Sequence, residues 1–317
     1  MSRSVVIFPG QGAQAVGMGR DVAKKSAAAA GIFERADRVL GIELSRWCFE
    51  GPEDRLTRTD IQQPAIFTTS AAIWEAMVEG GASRDNLLGA TAGLSLGEYT
   101  ALYAAGAISF EDGLRLVHRR GQYMQEAAEA SKGGMVSIVG GDRQAVEALC
   151  RAAAGSDELA PANFNCPGQI VISGSMAACE RAVGMASEHG VRAVMLKVAG
   201  AFHSALMAPA AERLAAALAE TAIRPPTCPV VSNVDAKPHG DPASIRAKLA
   251  QQLTRAVRWQ ESIERLIADG ATRFIEIGPG RVLTGLMRKI NRDVKTMNVS
   301  DAAGLEQALA GVAAMRS

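Results

Sequence analysis

The sequence has 317 residues, 48% of them hydrophobic and 21% charged, a composition typical of a globular protein with a sizeable core. Its 34 lysine and arginine residues nearly balance its 33 aspartate and glutamate residues, so the formal net charge is only +1. This balance excludes a global field that would draw the chain to nucleic acid or to a membrane surface, and we expect neither as a partner.

Strands and helices alternate in the first part of the chain. The apolar run at residues 5–8 ends at Pro9-Gly10, which predicts a buried strand followed by a loop. The further predicted elements are a helix over residues 20–48, a buried strand over 87–93, and helices over 96–107 and 111–130. This alternation indicates an α/β layer structure with a mainly parallel sheet.

The middle of the chain has a different order of elements. The predicted strands cover residues 135–139, 159–163, 169–173 and 191–198, and the predicted helices cover 143–153 and 176–188. The order strand, helix, strand, strand, helix, strand is typical of a ferredoxin-like unit. We therefore predict a small α+β domain over residues 133–199, inserted into a larger catalytic domain formed by residues 1–132 and 200–317.

After this unit the α/β alternation resumes. The predicted elements are a helix over residues 205–221, a strand over 229–233, helices to about 268, strands over 273–277 and 294–299 with a helix over 282–290 between them, and a C-terminal helix. These elements continue the same α/β core.

The cysteines and the apolar runs predict the compartment. The chain has five cysteines, an odd number, and none of them stands in a Cys-x-x-Cys pair, so no disulfide framework is indicated. The run at residues 5–8 is too short for the core of a signal peptide, and the weakly polar stretch at 87–110 is interrupted by Glu98. We therefore expect a soluble, cytoplasmic protein.

A Gly-x-Ser-x-Gly motif, Gly93-Leu94-Ser95-Leu96-Gly97, lies between a predicted strand and a predicted helix. A sharp turn in this context projects the serine hydroxyl outward, and the positive end of the helix lies near the oxygen. The alternative is a glycine-rich connection with an N-capping serine, but the flanking elements favour the first interpretation. We predict that Ser95 is the nucleophile of an enzyme that moves acyl groups through a serine ester.

His203 is the expected general base among the four histidines. It lies between a predicted strand end and the next helix, where α/β folds assemble their sites, although helix capping is an alternative interpretation. A neutral imidazole can accept the serine proton and later return it to a leaving thiol. We expect His118, His189 and His239 to be surface or capping residues.

The loop after the first strand, Phe8-Pro9-Gly10-Gln11-Gly12, predicts an oxyanion hole. Its expected donors are the backbone N–H groups of Gln11 and of Leu96, the residue after the nucleophile. The loop also fits the dinucleotide pattern Gly-x-Gly-x-x-Ala, which needs an acidic residue at the end of a second strand about twenty positions on. The stretch with Glu34 and Asp37 predicts helix instead, so we expect no nucleotide, and the chemistry needs no other cofactor or metal.

In combination these motifs resemble those of malonyl-CoA:acyl carrier protein transacylases. The resemblance spans nearly the whole chain and rests on Phe8-Pro9-Gly10-Gln11-Gly12, the Ser95 motif with Glu98-Tyr99-Thr100-Ala101-Leu102, Gly200-Ala201-Phe202-His203, and Ile277-Gly278-Pro279-Gly280. It implies an α/β-hydrolase-like core with an inserted ferredoxin-like domain. It also implies ping-pong transfer of malonyl from malonyl-CoA to the phosphopantetheine thiol of acyl carrier protein, in fatty acid biosynthesis, with release of CoA.

The resemblance also implies roles for individual residues. Arg120 matches the arginine that binds the free malonyl carboxylate; without the resemblance it is one of many arginines on a helix face. Gln252 matches the glutamine whose backbone carbonyl orients the histidine, in place of a triad acid, although the adjacent Gln251 leaves a one-residue shift open. Phe202 resembles members that use malonyl rather than methyl-branched units, with core packing as the alternative. Leu94 departs from the family, because many members have histidine there.

Several alternatives stay open. The same chemistry would serve a polyketide or malonate-decarboxylase carrier, or a serine hydrolase that releases malonate to water. A carrier-binding module with a vestigial site is disfavoured by the intact set of candidate residues. Acidic carriers predict a basic docking surface, for which Arg192, Lys197, Arg288 and Lys289 are candidates, or else ordinary solvated charges. We expect a monomer.

Overall fold

The structure is a computed structural model that describes residues 3–82 and 87–313. Its strands are β1 (Arg3–Phe8), β2 (Ala90–Gly93), β3 (Gly133–Val139), β4 (Leu159–Cys166), β5 (Gln169–Ser175), β6 (Arg192–Met195), β7 (Val230–Val231), β8 (Ala271–Ile277) and β9 (Lys295–Val299). Its α-helices are Arg20–Lys25, Ala27–Leu40, Leu44–Glu50, Glu53–Thr57, Thr59–Glu79, Gly97–Ala104, Phe110–Ala130, Arg143–Ala154, Met176–Met185, Ala208–Glu220, Pro242–Gln251, Trp259–Ala268, Val282–Ile290 and Ala302–Ala313. Short 3₁₀ helices cover Ala186–His189 and Ala205–Met207.

A five-stranded parallel sheet forms the main core, with strand order β7-β2-β1-β8-β9. β1 is central, and its residues 5–8 are buried because helices cover both faces of the sheet. Side chains alternate between the faces of a strand, so Val6 and Phe8 pack into one hydrophobic cluster and Val5 and Ile7 into another. The two clusters show a three-layer α/β arrangement, in agreement with the α/β layer structure and parallel sheet that the sequence predicts.

The second sheet is small and antiparallel, with strand order β4-β5-β3-β6. Helices Arg143–Ala154 and Met176–Met185 pack against it and share a separate hydrophobic cluster with its strands. The element order and the strand order are those of a ferredoxin-like unit. The fold class predicted from the sequence, a mainly parallel α/β core with a small α+β unit, is confirmed. The division into domains at residues 133 and 199 stays a prediction.

The two sheets are joined near the candidate site. The N–H of Phe164 in β4 donates to the carbonyl of Val257 at 2.9 Å, and the N–H of Val257 donates to the carbonyl of Ala162 at 2.8 Å. Val257 lies in the segment between helices Pro242–Gln251 and Trp259–Ala268. This segment therefore links the small unit to residues that contact His203.

Some predicted elements have different bounds in the structure. The helix predicted over residues 20–48 is three helices, because Ser26 caps a new helix and Gly41 ends it in the left-handed conformation. The strand predicted over 191–198 is shorter, as β6 ends at Met195. Among the helices of the described residues, none has both the length and the apolar composition of a membrane span.

Candidate active site

Ser95 occupies a tight turn between β2 and the helix Gly97–Ala104. Its φ is +52°, in the left-handed region that non-glycine residues rarely adopt. The turn has no room for side chains on its flanks. A Cβ atom on Gly93 would lie 1.9 Å from the carbonyl carbon of Gly97, and one on Gly97 would lie 2.1 Å from the carbonyl oxygen of Phe8. The two motif glycines therefore allow the strand and the helix to approach closely around Ser95.

His203 lies beside this serine. Its Nε2 atom is 2.9 Å from the Ser95 hydroxyl oxygen, and its Nδ1 atom is 2.7 Å from the backbone carbonyl oxygen of Gln252. Because a carbonyl oxygen only accepts, Nδ1 carries the proton in the neutral ring and Nε2 presents its lone pair to the hydroxyl. This is the tautomer that a general base requires.

Burial keeps the His203 ring neutral. The side chain is enclosed, and desolvation is the main cause that lowers its pKa from 6.5 to about 4. The positive charge of Arg120 lowers the pKa further, while hydrogen bonds to the backbone of Gln252 and Arg255 oppose the shift. The base form is therefore fully populated at neutral pH.

Arg120 places a buried positive charge at the nucleophile. The residue is only 1% exposed, and its guanidinium donates to Gln63 Oε1 at 2.7 Å, to Ser95 Oγ at 3.0 Å and to Gln252 Oε1 at 2.9 Å. Within the described ranges, no carboxylate lies at salt-bridge distance from Arg120, and its Nε atom has no hydrogen-bond partner. A buried cation with only neutral acceptors is costly, so this guanidinium is suited to receive an anionic ligand.

Gln252, and not its neighbour Gln251, contacts the site. Gln251 is exposed at the end of its helix, whereas Gln252 is fully buried. Besides its carbonyl contact with His203, Gln252 donates through Nε2 to the carbonyl oxygen of Ser95 at 3.1 Å. One residue therefore contacts the nucleophile, the base and the arginine.

The expected oxyanion donors are the N–H groups of Leu96, which follows Ser95 in the chain, and of Gln11, which lines the same cavity as Ser95. The N–H of Leu94 donates to the carbonyl of Phe8 at 3.1 Å, which joins the end of β1 to the serine turn. In the part of the chain that the structure describes, the N–H groups of Gln11 and Leu96 donate to no other protein group. They are thus available to a ligand, and their role as an oxyanion hole stays a prediction.

A cavity of about 260 Å³ opens over Ser95 and His203. The main core contributes Gln11, Leu94 and Phe202 to its wall, and Phe202 is nearly fully buried. The small unit contributes polar side chains, namely Ser137, Asn163, Asn165 and Gln169. The cavity therefore lies between the two sheets, with Ser95 and His203 contributed by the main core and both polar and apolar side chains contributed by the small unit.

The expectation that His239 is a surface or capping residue is wrong. Its side chain is buried, and its Nε2 atom lies 2.7 Å from Oε1 of Glu98. His118 and His189 are half-buried, and neither lines the cavity over Ser95. The burial of His239 results from contact with a residue 141 positions away, which no local pattern reveals.

Sequence reasoning also missed Glu98, Asn233 and Gln63 as parts of the site. Asn233 contacts the Ser95 backbone, Gln63 accepts from Arg120, and Glu98 contacts Gln252. The one available signal was Glu98 itself, a charged residue in an otherwise apolar predicted helix. A charged residue at such a position lies either on an exposed helix face or in the interior with hydrogen-bonding partners. Glu98 lies in the interior.

Comparison with known proteins agrees with this geometry. A family model described as an acyl transferase domain matches residues 5–313. The malonyl CoA-acyl carrier protein transacylase of Bacillus subtilis is 46% identical over 311 residues, which cover 98% of this chain and 97% of that protein. The structure of an acyl-carrier-protein-S-malonyltransferase from Bartonella henselae has a TM-score of 0.95 at 43% identity and covers 99% of this chain and 100% of that one. A malonyl-transacylase solved in complex with a type II PKS acyl-carrier protein has a TM-score of 0.94 at 40% identity, covering 98% and 100%.

The space around the serine turn gives a first prediction. Gly97→Ala places a Cβ atom against backbone that cannot move aside, so we expect the free energy of unfolding to fall by about 3 kcal/mol, the upper part of the range for overpacked sites. Chemical denaturation measures this loss. Gly31→Ala is the control, because no atom lies within 4 Å of a Cβ there, and a gain of up to about 1 kcal/mol is expected. Equal stability of the two variants would contradict the steric account.

The low pKa of His203 gives a second prediction. Because burial lowers the pKa to about 4, the ring should stay neutral as the pH falls from 7 to 5 and gain its proton only as the pH approaches 4. Nitrogen NMR of the histidine-labelled free enzyme follows this titration, with His203→Gln identifying the signal. A midpoint near 6.5, the ordinary value, would refute the effect of burial.

Proposed function

Because this chain belongs to the malonyl-CoA:acyl carrier protein transacylase family, as its motifs predict, we propose that it transfers malonyl from malonyl-CoA to the phosphopantetheine thiol of an acyl carrier protein in fatty acid biosynthesis. The observation that carries the proposal is the buried Arg120 guanidinium, 3.0 Å from the Ser95 hydroxyl and without a carboxylate partner among the described residues. An acyl group that ends in a carboxylate supplies the missing anion.

The first half-reaction forms an ester on the enzyme. His203 accepts the hydroxyl proton of Ser95 through Nε2 as Oγ attacks the thioester carbonyl carbon. The N–H groups of Gln11 and Leu96 donate to the oxyanion, and each such donor is worth about 10²–10³ in rate. The carbon–sulfur bond then breaks, the CoA sulfur takes the proton from His203, and malonyl stays on Ser95.

The second half-reaction repeats these steps with a different thiol. The phosphopantetheine thiol of the carrier gives its proton to His203 and attacks the ester carbonyl carbon. The Ser95 oxygen leaves and recovers a proton from His203, so the free enzyme is restored. The backbone carbonyl of Gln252, 2.7 Å from Nδ1, keeps that nitrogen protonated, so Nε2 is the atom that accepts and returns the proton in each step.

Arg120 and Phe202 are the proposed determinants of the acyl group. A planar guanidinium binds a carboxylate through two parallel hydrogen bonds, and a charge-assisted bond contributes about 1.5–3 kcal/mol. In the free enzyme one N–H group of Arg120 donates to the Ser95 hydroxyl. In the malonyl complex the same N–H group would donate to the malonyl carboxylate. The Phe202 ring in the cavity wall fills space that a methyl branch on the acyl group would need.

The proposed carrier-docking surface is formed by basic side chains on or next to elements that line the cavity. Val282 and Leu286 line the cavity from the helix Val282–Ile290, and the exposed Arg288 and Lys289 lie in the last turn of the same helix. Arg192 and Lys197, in and after β6, are exposed as well. Exposed positive charge on these elements suits an acidic carrier. The monomeric state and the cytoplasmic location stay predictions.

The carboxylate role of Arg120 predicts a change in selectivity. Arg120→Ala removes the charge that binds malonyl, so we expect kcat/KM for malonyl-CoA to fall about 100-fold, the equivalent of one or two charge-assisted bonds, and that for acetyl-CoA to fall far less. Steady-state transfer with both substrates measures the ratio. Arg119→Ala is the matched control, because that neighbour is exposed beside Glu220. An equal loss with both substrates excludes the carboxylate-binding role.

Transfer to a carrier and hydrolysis predict different products. With labelled malonyl-CoA and holo acyl carrier protein, we expect most label on the carrier thiol and little as free malonate. Ser95→Ala should abolish both products, which controls for contaminating enzymes. Free malonate as the main product in the presence of carrier would favour the hydrolase and refute the proposal. Carriers from fatty acid and polyketide synthesis, assayed in parallel, identify the pathway by the higher kcat/KM.

A further inference from the structure

Glu98 is a buried carboxylate that the proposed reaction does not use. It lies in the first turn of the helix Gly97–Ala104 with a side chain that is 0% exposed. Oε2 accepts from Gln252 Nε2 at 2.6 Å and from the backbone N–H of Asn233 at 3.1 Å, while Oε1 lies 2.7 Å from Nε2 of His239. A charge in the interior is tolerated only with such partners, and here they all belong to segments around Ser95.

The orientation of the Gln252 amide follows from its neighbours. Arg120 only donates hydrogen bonds, so the amide atom that faces it is the oxygen. The Ser95 carbonyl only accepts, so the atom that faces it is the NH₂ nitrogen. This NH₂ group also faces Glu98. The Gln252 amide is therefore held between a positive charge at its oxygen and a carboxylate at its nitrogen.

Asn233 holds the serine turn from the other side. Its Oδ1 atom accepts from the N–H of Ser95 at 2.6 Å, and its Nδ2 atom donates to the carbonyl of Gly93 at 2.7 Å. The two hydrogen bonds hold the backbone that leads into Ser95, the residue with the left-handed conformation. Because the Asn233 N–H itself donates to Glu98, the same carboxylate supports both residues that contact the Ser95 backbone.

His239 is the remaining partner of Glu98. Its Nδ1 atom is buried and has no partner in the described part of the chain, so a proton there would be unpaired. This favours the neutral tautomer with its proton on Nε2, donated to Glu98. Glu98 and Arg120 then contact opposite ends of the Gln252 amide.

We propose that Glu98 is a positioning residue that fixes Ser95, Gln252 and Arg120 in one reactive arrangement. It occupies the functional place of the acid in a Ser-His-acid triad, but it acts through Gln252, which in turn contacts His203. The inference rests on the proposed function, because formation of malonyl-Ser95 is the reaction that reports on it.

The test is the rate of malonyl-Ser95 formation in Glu98→Gln, which keeps the shape but replaces an acceptor oxygen with a donor. Rapid-quench single turnovers at several malonyl-CoA concentrations give the maximal rate, the half-saturating concentration and the amplitude. We expect the maximal rate to fall about 10- to 100-fold, as for the loss of one or two hydrogen bonds to a charged group. The half-saturating concentration should change less than about threefold, because Gln63 still holds Arg120.

A merely structural role for Glu98 would have a different signature. Destabilised protein would show a reduced amplitude, with the remaining active molecules reacting at the wild-type rate, and that result overturns the proposal. A raised half-saturating concentration with an unchanged maximal rate also overturns it. Leu149→Ala, in the core of the small antiparallel unit, controls for loss of stability and should retain the wild-type maximal rate.

Gln252→Leu tests the same link without altering Glu98. The variant keeps the backbone carbonyl but loses the amide, so its maximal rate should fall as well, and an unchanged rate contradicts the proposal even if Glu98→Gln does not fold. In the double variant the losses should be less than multiplicative, because both substitutions break one connection. Fully multiplicative losses would show that Glu98 acts independently of Gln252. If the wild-type enzyme forms no malonyl-Ser95, the proposed function itself fails.

Discussion

The left-handed backbone at Ser95 is the constraint on which the site depends. Three features maintain this backbone. Gly93 and Gly97 have no side chains that would clash, the end of β1 lies close to the turn, and the Asn233 side chain makes two hydrogen bonds to the turn backbone. Strain of this kind persists only when the surroundings fix it, and here it belongs to a buried serine that lines the cavity and contacts His203. The parallel sheet supplies this support because β1 and β2 are adjacent and end at the same edge.

Burial determines the electrostatics of the site. It lowers the pKa of His203, so the base is neutral before substrate arrives, and it leaves Arg120 as a desolvated cation whose need for an anion matches an acyl group with a free carboxylate. Gln252 contacts all three residues, His203 through its backbone carbonyl and Arg120 and Ser95 through its side-chain amide. The proposed nucleophile, base and carboxylate-binding residue are thus linked through one buried residue.

The sequence predicted much of the fold because its patterns are local. The apolar run of β1, the Gly-x-Ser-x-Gly turn and the order of elements in the small unit needed no tertiary information. The helix Thr59–Glu79 received no assignment, since burial on nearly all sides leaves it without an amphipathic period. The partners Glu98, Asn233 and His239 were missed for a related reason, because contacts between distant segments make them buried. Arg120 and Gln252 were identified through family resemblance rather than spacing.

The central claim is that Ser95 carries the acyl group. Peptide mass spectrometry after acid quench, with malonyl-CoA and no carrier, tests it directly. We expect a hydroxylamine-labile malonyl ester on the peptide that contains Ser95, absent from Ser95→Ala and discharged when holo acyl carrier protein is added. Wild-type enzyme that transfers malonyl measurably but bears no ester, or bears it on another residue, would contradict the account.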